Sequence, residues 1–107
     1  MTTKKTLVLG ASLKPHRYSN LAIKRFVQHN QPVVAVGLKV GEVGGIKIET
    51  GKPNFKDIDT VTLYMNAQRQ RDFYNYLIDL KPKRVIFNPG TENPELYTLL
   101  KQNKIEI

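Results

Sequence analysis

The sequence predicts an α/β fold: a doubly wound, mainly parallel sheet of about five strands with helices on both faces. Short apolar runs rich in β-branched residues recur along the chain, with starts about 20 to 28 residues apart. Several of them are apolar on successive residues, which is typical of strands buried on both faces of a parallel sheet. Amphipathic helical patterns fill most of the intervals between them. A chain of 107 residues has the length of one domain, so we expect a single domain over residues 1–107.

Five apolar runs are predicted to be strands. They cover residues 6–10, 32–38, 60–65, 84–88 and 104–107. The run at 60–65 alternates more than the others, so we expect it nearer an edge or the ligand face of the sheet. The stretch from 41 to 56 shows no helical pattern, and Ile46-Lys47-Ile48 within it predicts a short extra strand.

Three helices are predicted from capping residues followed by apolar residues at helical spacing. We expect Ser19 or Asn20 to cap the first helix and Asn66 to cap the second. Asn93 followed by Pro94 predicts the start of the third, because a proline at the first helical position wastes no hydrogen-bond donor. Right-handed crossovers between such strands and helices place the ligand beyond the carboxyl ends of the strands.

The composition excludes several classes of site. Without cysteine the chain has no disulfide framework, thiolate metal site or cysteine nucleophile, and its two histidines are too few for a histidine-rich metal site. His16 and His29 are the only candidate bases, and no Ser-His-Asp or paired-carboxylate arrangement can be assembled. We therefore predict no catalytic residues, no bound metal and no enzymatic activity. The sequence shows neither a signal peptide nor a membrane-length apolar run, which predicts a cytoplasmic protein without a membrane partner.

The positive charge is concentrated in the first half of this basic chain. The formal net charge is +8, and residues 1–56 hold ten Lys and Arg against two acids. Residues 57–107 hold seven of each. The asymmetry predicts an anion held by one part of the fold. Nucleic-acid binding is an alternative explanation of the charge, but no recognised nucleic-acid module is present and aromatic residues are not interleaved with the basic ones.

The loop after the first predicted strand resembles a phosphate loop of an unusual kind. Gly10 matches the first position of the G-x-G-x-x-G pattern, whereas Ser12 and Pro15 replace the second and third glycines. Those glycines let a dinucleotide pyrophosphate approach the backbone and let the helix pack closely, so the usual dinucleotide pose is disfavoured. Lys14 and Arg17 add positive charge to a loop that precedes a helix N-terminus. The loop therefore predicts a bound phosphate group.

The end of the second predicted strand favours a phosphorylated ribose. Enzymes that use NAD usually place an acidic residue there to bind the ribose hydroxyls. This chain has Gly37-Leu38-Lys39 instead, and a lysine suits a phosphate on the ribose. Coenzyme A (CoA) carries such a phosphate at the 3′ position and NADP carries one at the 2′ position. The residues by themselves leave both coenzymes open.

Three segments of the chain carry a resemblance to a known family. Gly10-Ala11-Ser12 with Pro15 and Arg17-Tyr18-Ser19 forms the first, residues 60–64 (TVTLY) form the second, and residues 82–95 (PKRVIFNPGTENPE) form the third. They resemble small stand-alone CoA-binding proteins, which are similar to the CoA-binding domain of the succinyl-CoA synthetase alpha subunit. The resemblance covers nearly the whole chain. It implies a Rossmann-like fold and non-catalytic, nucleotide-type binding of CoA or a CoA thioester over the first loop.

The resemblance also implies positions for the ligand. The phosphates would be lined by Gly10, Ala11, Ser12, Arg17 and Ser19, with Lys14 adding charge from the same loop. Lys39 would face the 3′-phosphate. The same edge would be closed by Asn66 and by the segment from Asn88 to Gly90. The alternatives are an NADP-type oxidoreductase and, less favoured, a nucleic-acid-binding protein, and the sequence leaves open a protein partner or a homodimer beside the small-molecule ligand.

Overall fold

The computed structural model describes residues 4–107, in which strands and helices alternate. The strands are β1 (Lys5–Ala11), β2 (Val33–Gly37), β3 (Gly41–Val43), β4 (Ile46–Glu49), β5 (Ile58–Leu63) and β6 (Arg84–Phe87). The helices are α1 (Tyr18–Gln28), α2 (Ala67–Gln70), α3 (Tyr74–Leu80) and α4 (Pro94–Gln102), with a 3-10 turn at Arg71–Phe73 between α2 and α3. Within this part of the chain no helix has both the length and the apolar character needed to cross a bilayer.

All six strands form one sheet in the order β3-β4-β2-β1-β5-β6. Every neighbouring pair is parallel except β3 and β4, which are antiparallel. The predicted α/β, Rossmann-like fold class is therefore confirmed. After β1 the chain builds the sheet first on the β2 side and then returns to the β5 side. This change of direction lies between β1 and β5, which is where such sheets bind their ligands.

The core lies on both faces of the sheet because successive β1 residues point in opposite directions. Leu7 and Leu9 are buried in one cluster with apolar side chains of α3 and α4. Val8, between them, is buried in a second cluster with Ile23 of α1. Strands that are apolar on consecutive residues thus have helices to pack against on each face.

Of the two positions predicted for the 60–65 run, nearer an edge or nearer the ligand face, the edge position is wrong. β5 lies between β1 and β6 and is buried over nearly its whole length. Its polar residues are tolerated there because they have hydrogen-bond partners: Thr60 Oγ1 accepts from Arg84 Nε at 3.1 Å, and Thr62 Oγ1 accepts from Asn88 Nδ2 at 2.7 Å. The alternation of polar and apolar residues in this strand arises because its threonines are buried and hydrogen-bonded to β6 and the loop after it. It does not arise from exposure of one face to solvent.

The two ends of the sheet also differ from the prediction of about five strands. The expected strand at 46–48 is present as β4, but it pairs with β3 in a hairpin that the sequence did not reveal. Gly44 and Gly45 form its turn with φ of 55° and 86°, the positive values that two-residue hairpins favour. The last predicted strand contributes a single parallel bridge between Arg84 and Glu106.

Two of the three predicted helix caps are confirmed. Asn66 Oδ1 accepts from the Arg69 N–H at 3.0 Å, and Asn93 Oδ1 accepts from the Leu96 N–H at 3.3 Å. The caps expected for α1 are wrong, because that helix begins at Tyr18 and its N-cap is Arg17. The side chains of the two expected caps are buried inside the first turn and contact the preceding loop.

Candidate functional site

A cleft of about 1100 Å³ opens at the carboxyl ends of the strands, beside the change of direction between β1 and β5. Its walls come from the β1–α1 loop, one side of α1, the segment after β2, the end of β5 and the loop after β6. Eight of the ten sequence-predicted site residues line it: Gly10, Ala11, Ser12, Lys14, Arg17, Ser19, Lys39 and Asn88.

Asn66 and Gly90 are not brought into the cleft. The Asn66 side chain is occupied at the start of α2, where it accepts from the Arg69 N–H. The Gly90 N–H donates to Glu92 Oε1 at 3.0 Å within its own exposed loop. Both residues lie beyond the same strand ends as the cleft, but their polar groups serve local structure.

Gly10 turns the chain out of the sheet and into the loop. The register between β1 and β2 skips it, so that it forms a bulge between Leu9 and Ala11. Its φ is 97°, and a Cβ at this position would lie 3.0 Å from the Tyr64 carbonyl carbon. Glycine is therefore required here by the backbone, quite apart from any ligand.

Ser12 is held on three sides by the residues that follow it. Its N–H donates to Ser19 Oγ at 3.1 Å, and its carbonyl oxygen accepts from Asn20 Nδ2 at 3.0 Å. Its own Oγ accepts from the Lys14 N–H at 3.1 Å. The Ser12 and Lys14 N–H groups are thus used within the loop. In this arrangement both serine hydroxyls serve as acceptors, so each keeps its own hydrogen for donation to an anion.

The N-terminus of α1 differs from those of α2 and α4. Within residues 4–107 no side chain caps α1, whereas Asn66 and Asn93 cap the other two helices. The first intrahelical bond runs from the Leu21 N–H to the Arg17 carbonyl oxygen. The N–H groups of the three preceding residues stand at the positive end of the helix dipole, where an anion is favoured.

Five cationic side chains line the cleft, and none of its described lining residues is acidic. The cations are Lys14, Arg17, Arg25, Lys39 and Arg69. Ion pairs in the described part of the chain join Arg71 to Glu95 and Lys83 to Asp59, so they leave these five cations unneutralised. Such a lining attracts a ligand with several negative charges.

An apolar wall stands beside the cations. Leu21 and Leu38 are 50% and 73% exposed, and both line the cleft together with Leu13 and Phe26. Exposed leucines next to arginine and lysine suit a ligand that joins phosphates to aromatic or aliphatic groups. Sequence reasoning missed the residues Leu13, Tyr18, Leu21, Ala22, Arg25, Phe26, Leu38, Tyr64 and Arg69. The positions of Tyr18, Leu21, Ala22, Arg25 and Phe26 at helical spacing along α1 were the available signal.

Asn88 fixes the opposite wall. Its Nδ2 donates to Thr62 Oγ1 at 2.7 Å and to the Leu63 carbonyl oxygen at 2.8 Å, so it ties the end of β5 to the loop after β6. Its Oδ1 is not used in these bonds and can accept from a ligand. Tyr64 follows Leu63 directly and lines the cleft as well.

A family comparison identifies the kind of domain. The sequence matches the model of the CoA binding domain over residues 4–107. The chain belongs to that family. The predicted resemblance is therefore confirmed at the level of the family, and the cleft described above lies within a CoA-binding domain. A search of the curated proteins found no match.

Solved structures share the fold of this CoA-binding domain. One, described as an uncharacterized protein, is 51% identical with a TM-score of 0.93 over 99% of this chain and 88% of that one. A hypothetical protein from Pyrococcus horikoshii OT3 is 27% identical, with a TM-score of 0.85 over 96% of this chain and 73% of that one. A conserved hypothetical protein from Pyrococcus furiosus is 23% identical, with a TM-score of 0.83 over 96% and 90% of the two chains, and supports the fold alone.

Two tyrosines outside the cleft have shifted pKa values. Burial, with a smaller contribution from the Glu49 carboxylate, raises the pKa of Tyr76 to about 12, and its hydroxyl donates to the Pro53 carbonyl oxygen at 2.6 Å. Burial also raises the pKa of Tyr74, whose hydroxyl accepts from Asn93 Nδ2 and donates to Glu95. Among residues 4–107 no three His, Asp or Glu side chains are grouped to hold a metal ion.

Proposed function

We propose that this protein binds CoA or a CoA thioester in the cleft without catalysing a reaction on it. The observation that carries the proposal is the uncapped N-terminus of α1 beside unneutralised cations, in a chain that belongs to the CoA-binding domain family. The ligand's diphosphate would lie against the first turn of α1 and the loop before it, where Ser12, Arg17 and Ser19 can donate hydrogen bonds.

The adenosine 3′-phosphate would face Lys39. This lysine follows Leu38 at the end of β2, and both line the cleft. An acidic residue would be expected there in a protein that binds the free ribose hydroxyls of NAD. The exposed Leu38 and Leu13 would then cover apolar surface of the adenine, because they line the same cleft as Lys39 from two different segments.

The remaining arm of the ligand would run toward Tyr64 and Asn88. This wall comes from the segments that follow β5 and β6, and the cation Arg69 of α2 lies beside it. An amide-bearing arm such as pantetheine could donate to the free Asn88 Oδ1.

We also propose that residues 1–107 make up one such domain, since the described strands from 5 to 87 belong to a single sheet.

Parallel calorimetric titrations test this function. Purified protein is titrated with CoA, acetyl-CoA, NADP, ATP and an oligonucleotide at the same salt concentration. We expect saturable one-to-one binding of CoA and acetyl-CoA, with weaker binding of NADP. Equal or tighter binding of NADP would favour the oxidoreductase-type alternative. Binding of the oligonucleotide with a steep loss of affinity on adding salt would favour a nucleic-acid ligand.

A further inference from the structure

Asn20 carries a buried polar atom that stability alone does not explain. The residue lies in the first turn of α1 and is only 2% exposed. Its Nδ2 donates to the Ser12 carbonyl oxygen at 3.0 Å. Its Oδ1 is the one buried side-chain polar atom among residues 4–107 without a hydrogen-bond partner. Buried polar groups are nearly always paired, so an unpaired one calls for an explanation.

The energetic balance disfavours a purely structural role for this asparagine. A hydrogen bond to a neutral partner contributes modestly, whereas a buried acceptor without a partner loses its full interaction with water. Leucine has the same branching as asparagine and would occupy this position without an unpaired polar atom, although its side chain is larger. The Ser12 carbonyl oxygen is only partly buried, so water could replace the amide as its donor.

The orientation of Ser12 supplies the explanation. The Ser12 N–H is held by Ser19 and the Ser12 carbonyl by Asn20, so two successive peptide groups are fixed from α1. A carbonyl oxygen turned toward a phosphate would repel it. This carbonyl oxygen accepts from Asn20, which does not line the cleft, so it is engaged on the α1 side and would not face an anion in the cleft. The Ser12 hydroxyl, which does line the cleft, is then presented with its hydrogen free.

We infer that Asn20 is a positioning residue for the anion-binding loop, acting through the Ser12 peptide groups and not by touching the ligand. The inference rests on the proposed function, because it assumes that a phosphate-bearing ligand occupies the loop. It adds a residue that neither the sequence motif nor the lining of the cleft includes. It also implies that Asn20 is kept because it orients the loop, although its unpaired Oδ1 lowers the free energy of unfolding.

The test compares one substitution at two buried asparagines. Asn20→Leu should keep or raise the Tm and raise the Kd for CoA roughly tenfold. Asn93→Leu is the matched control, because Asn93 is equally buried and also starts a helix, but both ends of its amide are paired. That variant should lower the Tm and leave the Kd unchanged when binding is measured well below its Tm. Asn20→Ala repeats the test without added side-chain volume.

Amide hydrogen exchange gives a readout that needs no ligand. In Asn20→Leu the Ser12 N–H should exchange faster, while the amides of β1 keep their protection. If Asn20→Leu binds CoA as tightly as the wild type, the inference is overturned. It is also overturned if both Asn20→Leu and Asn20→Ala lower the Tm or fail to fold. If the wild type does not bind CoA, the proposed function fails. The exchange rate then decides by itself: unchanged Ser12 exchange would overturn the positioning role, and faster exchange at constant Tm would support it.

Discussion

Gly37 lies so close to Ala11, its register partner on β1, that a Cβ on Gly37 would collide with the Ala11 carbonyl oxygen. The same Cβ would lie 3.1 Å from Cγ2 of Ile48 on β4. Three strands therefore converge where β1 and β2 end and the cleft begins. The obstacle on the β1 side is backbone, which cannot move away without breaking the pairing of the two central strands.

We expect Gly37→Ala to lower the free energy of unfolding by about 1–3 kcal/mol, because the added methyl forces backbone apart. Urea denaturation measures it. Gly41→Ala is the matched control, since the three nearest heavy atoms to a Cβ there all belong to the Leu13 side chain, which can move. Its effect should be clearly smaller. Equal losses in the two variants would contradict the role assigned to the Ala11 carbonyl.

Arg17→Ala should weaken CoA binding by about 1.5–3 kcal/mol, the value of one charge-assisted hydrogen bond. The Tm should change little, because Arg17 is exposed and its side chain does not cap α1. Calorimetry and thermal denaturation measure the two quantities. Arg71→Ala is the control, being an exposed arginine outside the cleft. A dissociation constant unaffected by Arg17→Ala would remove this residue from the site.

Lys39 should be coupled to the 3′-phosphate of the ligand. Lys39→Ala is expected to weaken binding of CoA and to spare 3′-dephospho-CoA. An exposed ion pair between Lys39 and the phosphate would contribute under about 1 kcal/mol to binding, and a pair partly shielded by Leu38 would contribute more. The coupling is therefore best measured by a double-mutant cycle, in which the wild type and Lys39→Ala are each titrated with CoA and with 3′-dephospho-CoA. Lys47→Ala, on an exposed position of β4, is the control. Zero coupling would leave Lys39 as a surface residue without a role in choosing between coenzymes.

Gln70 should be the most sensitive polar residue of the core. It is fully buried, its Nε2 donates to the carbonyl oxygens of Met65 and Thr91, and its Oε1 accepts from Asn93. Gln70→Leu removes the donor to both carbonyl oxygens and one of the two acceptors of the Asn93 amide, and should destabilise the fold by about 3 kcal/mol or more. Gln68→Leu, at an exposed position two residues earlier, should have little effect in the same denaturation experiment.

Tyr76 predicts a specific loss of stability at high pH. Its pKa is raised from 10.0 to about 12 by burial, so the unfolded chain ionises first as the pH rises. The contribution of the neutral Tyr76 hydroxyl to the free energy of unfolding is fully present below pH 10 and is lost as the pH approaches 12. The free energy of unfolding of the wild type should therefore fall toward that of Tyr76→Phe over this interval. A difference between the two proteins that stays constant with pH would contradict the prediction.

Local signals in the sequence were sufficient for some elements of the fold. Asn66 and Asn93 were predicted as caps because a cap bonds to a backbone N–H three residues away, and that spacing is visible in the sequence. Ser19 and Asn20 have the same capping chemistry but bond to Ser12, seven and eight residues back. No local pattern distinguishes the two uses, because burial of the first turn of α1 against the loop decides between them.

For the candidate site, the sequence predicted the residues of the β1–α1 loop but not most of those in the other walls of the cleft. Gly10 and Arg17 belong to a motif with a known chemistry, so they could be named from sequence. Leu13 and Leu38 line the cleft only because the β1–α1 loop and the segment after β2 meet beyond the sheet. That proximity depends on β1 and β2 being neighbours, and a leucine that faces a ligand looks in the sequence like one that faces the core.

The central place of β1 has a consequence for how the chain folds. β1 pairs with β2, about 27 residues later, and with β5, about 54 residues later, as in Leu7 opposite Val34 and Val61. Closing such distant contacts is entropically slow compared with forming a helix or the β3–β4 hairpin. On a ribosome, β1 would emerge before β2 and β5, and the backbone N–H and C=O groups on its β5 side would stay unpaired until β5 is synthesised. The nascent chain should therefore be most exposed to aggregation, and most dependent on chaperones, in the interval between those two strands.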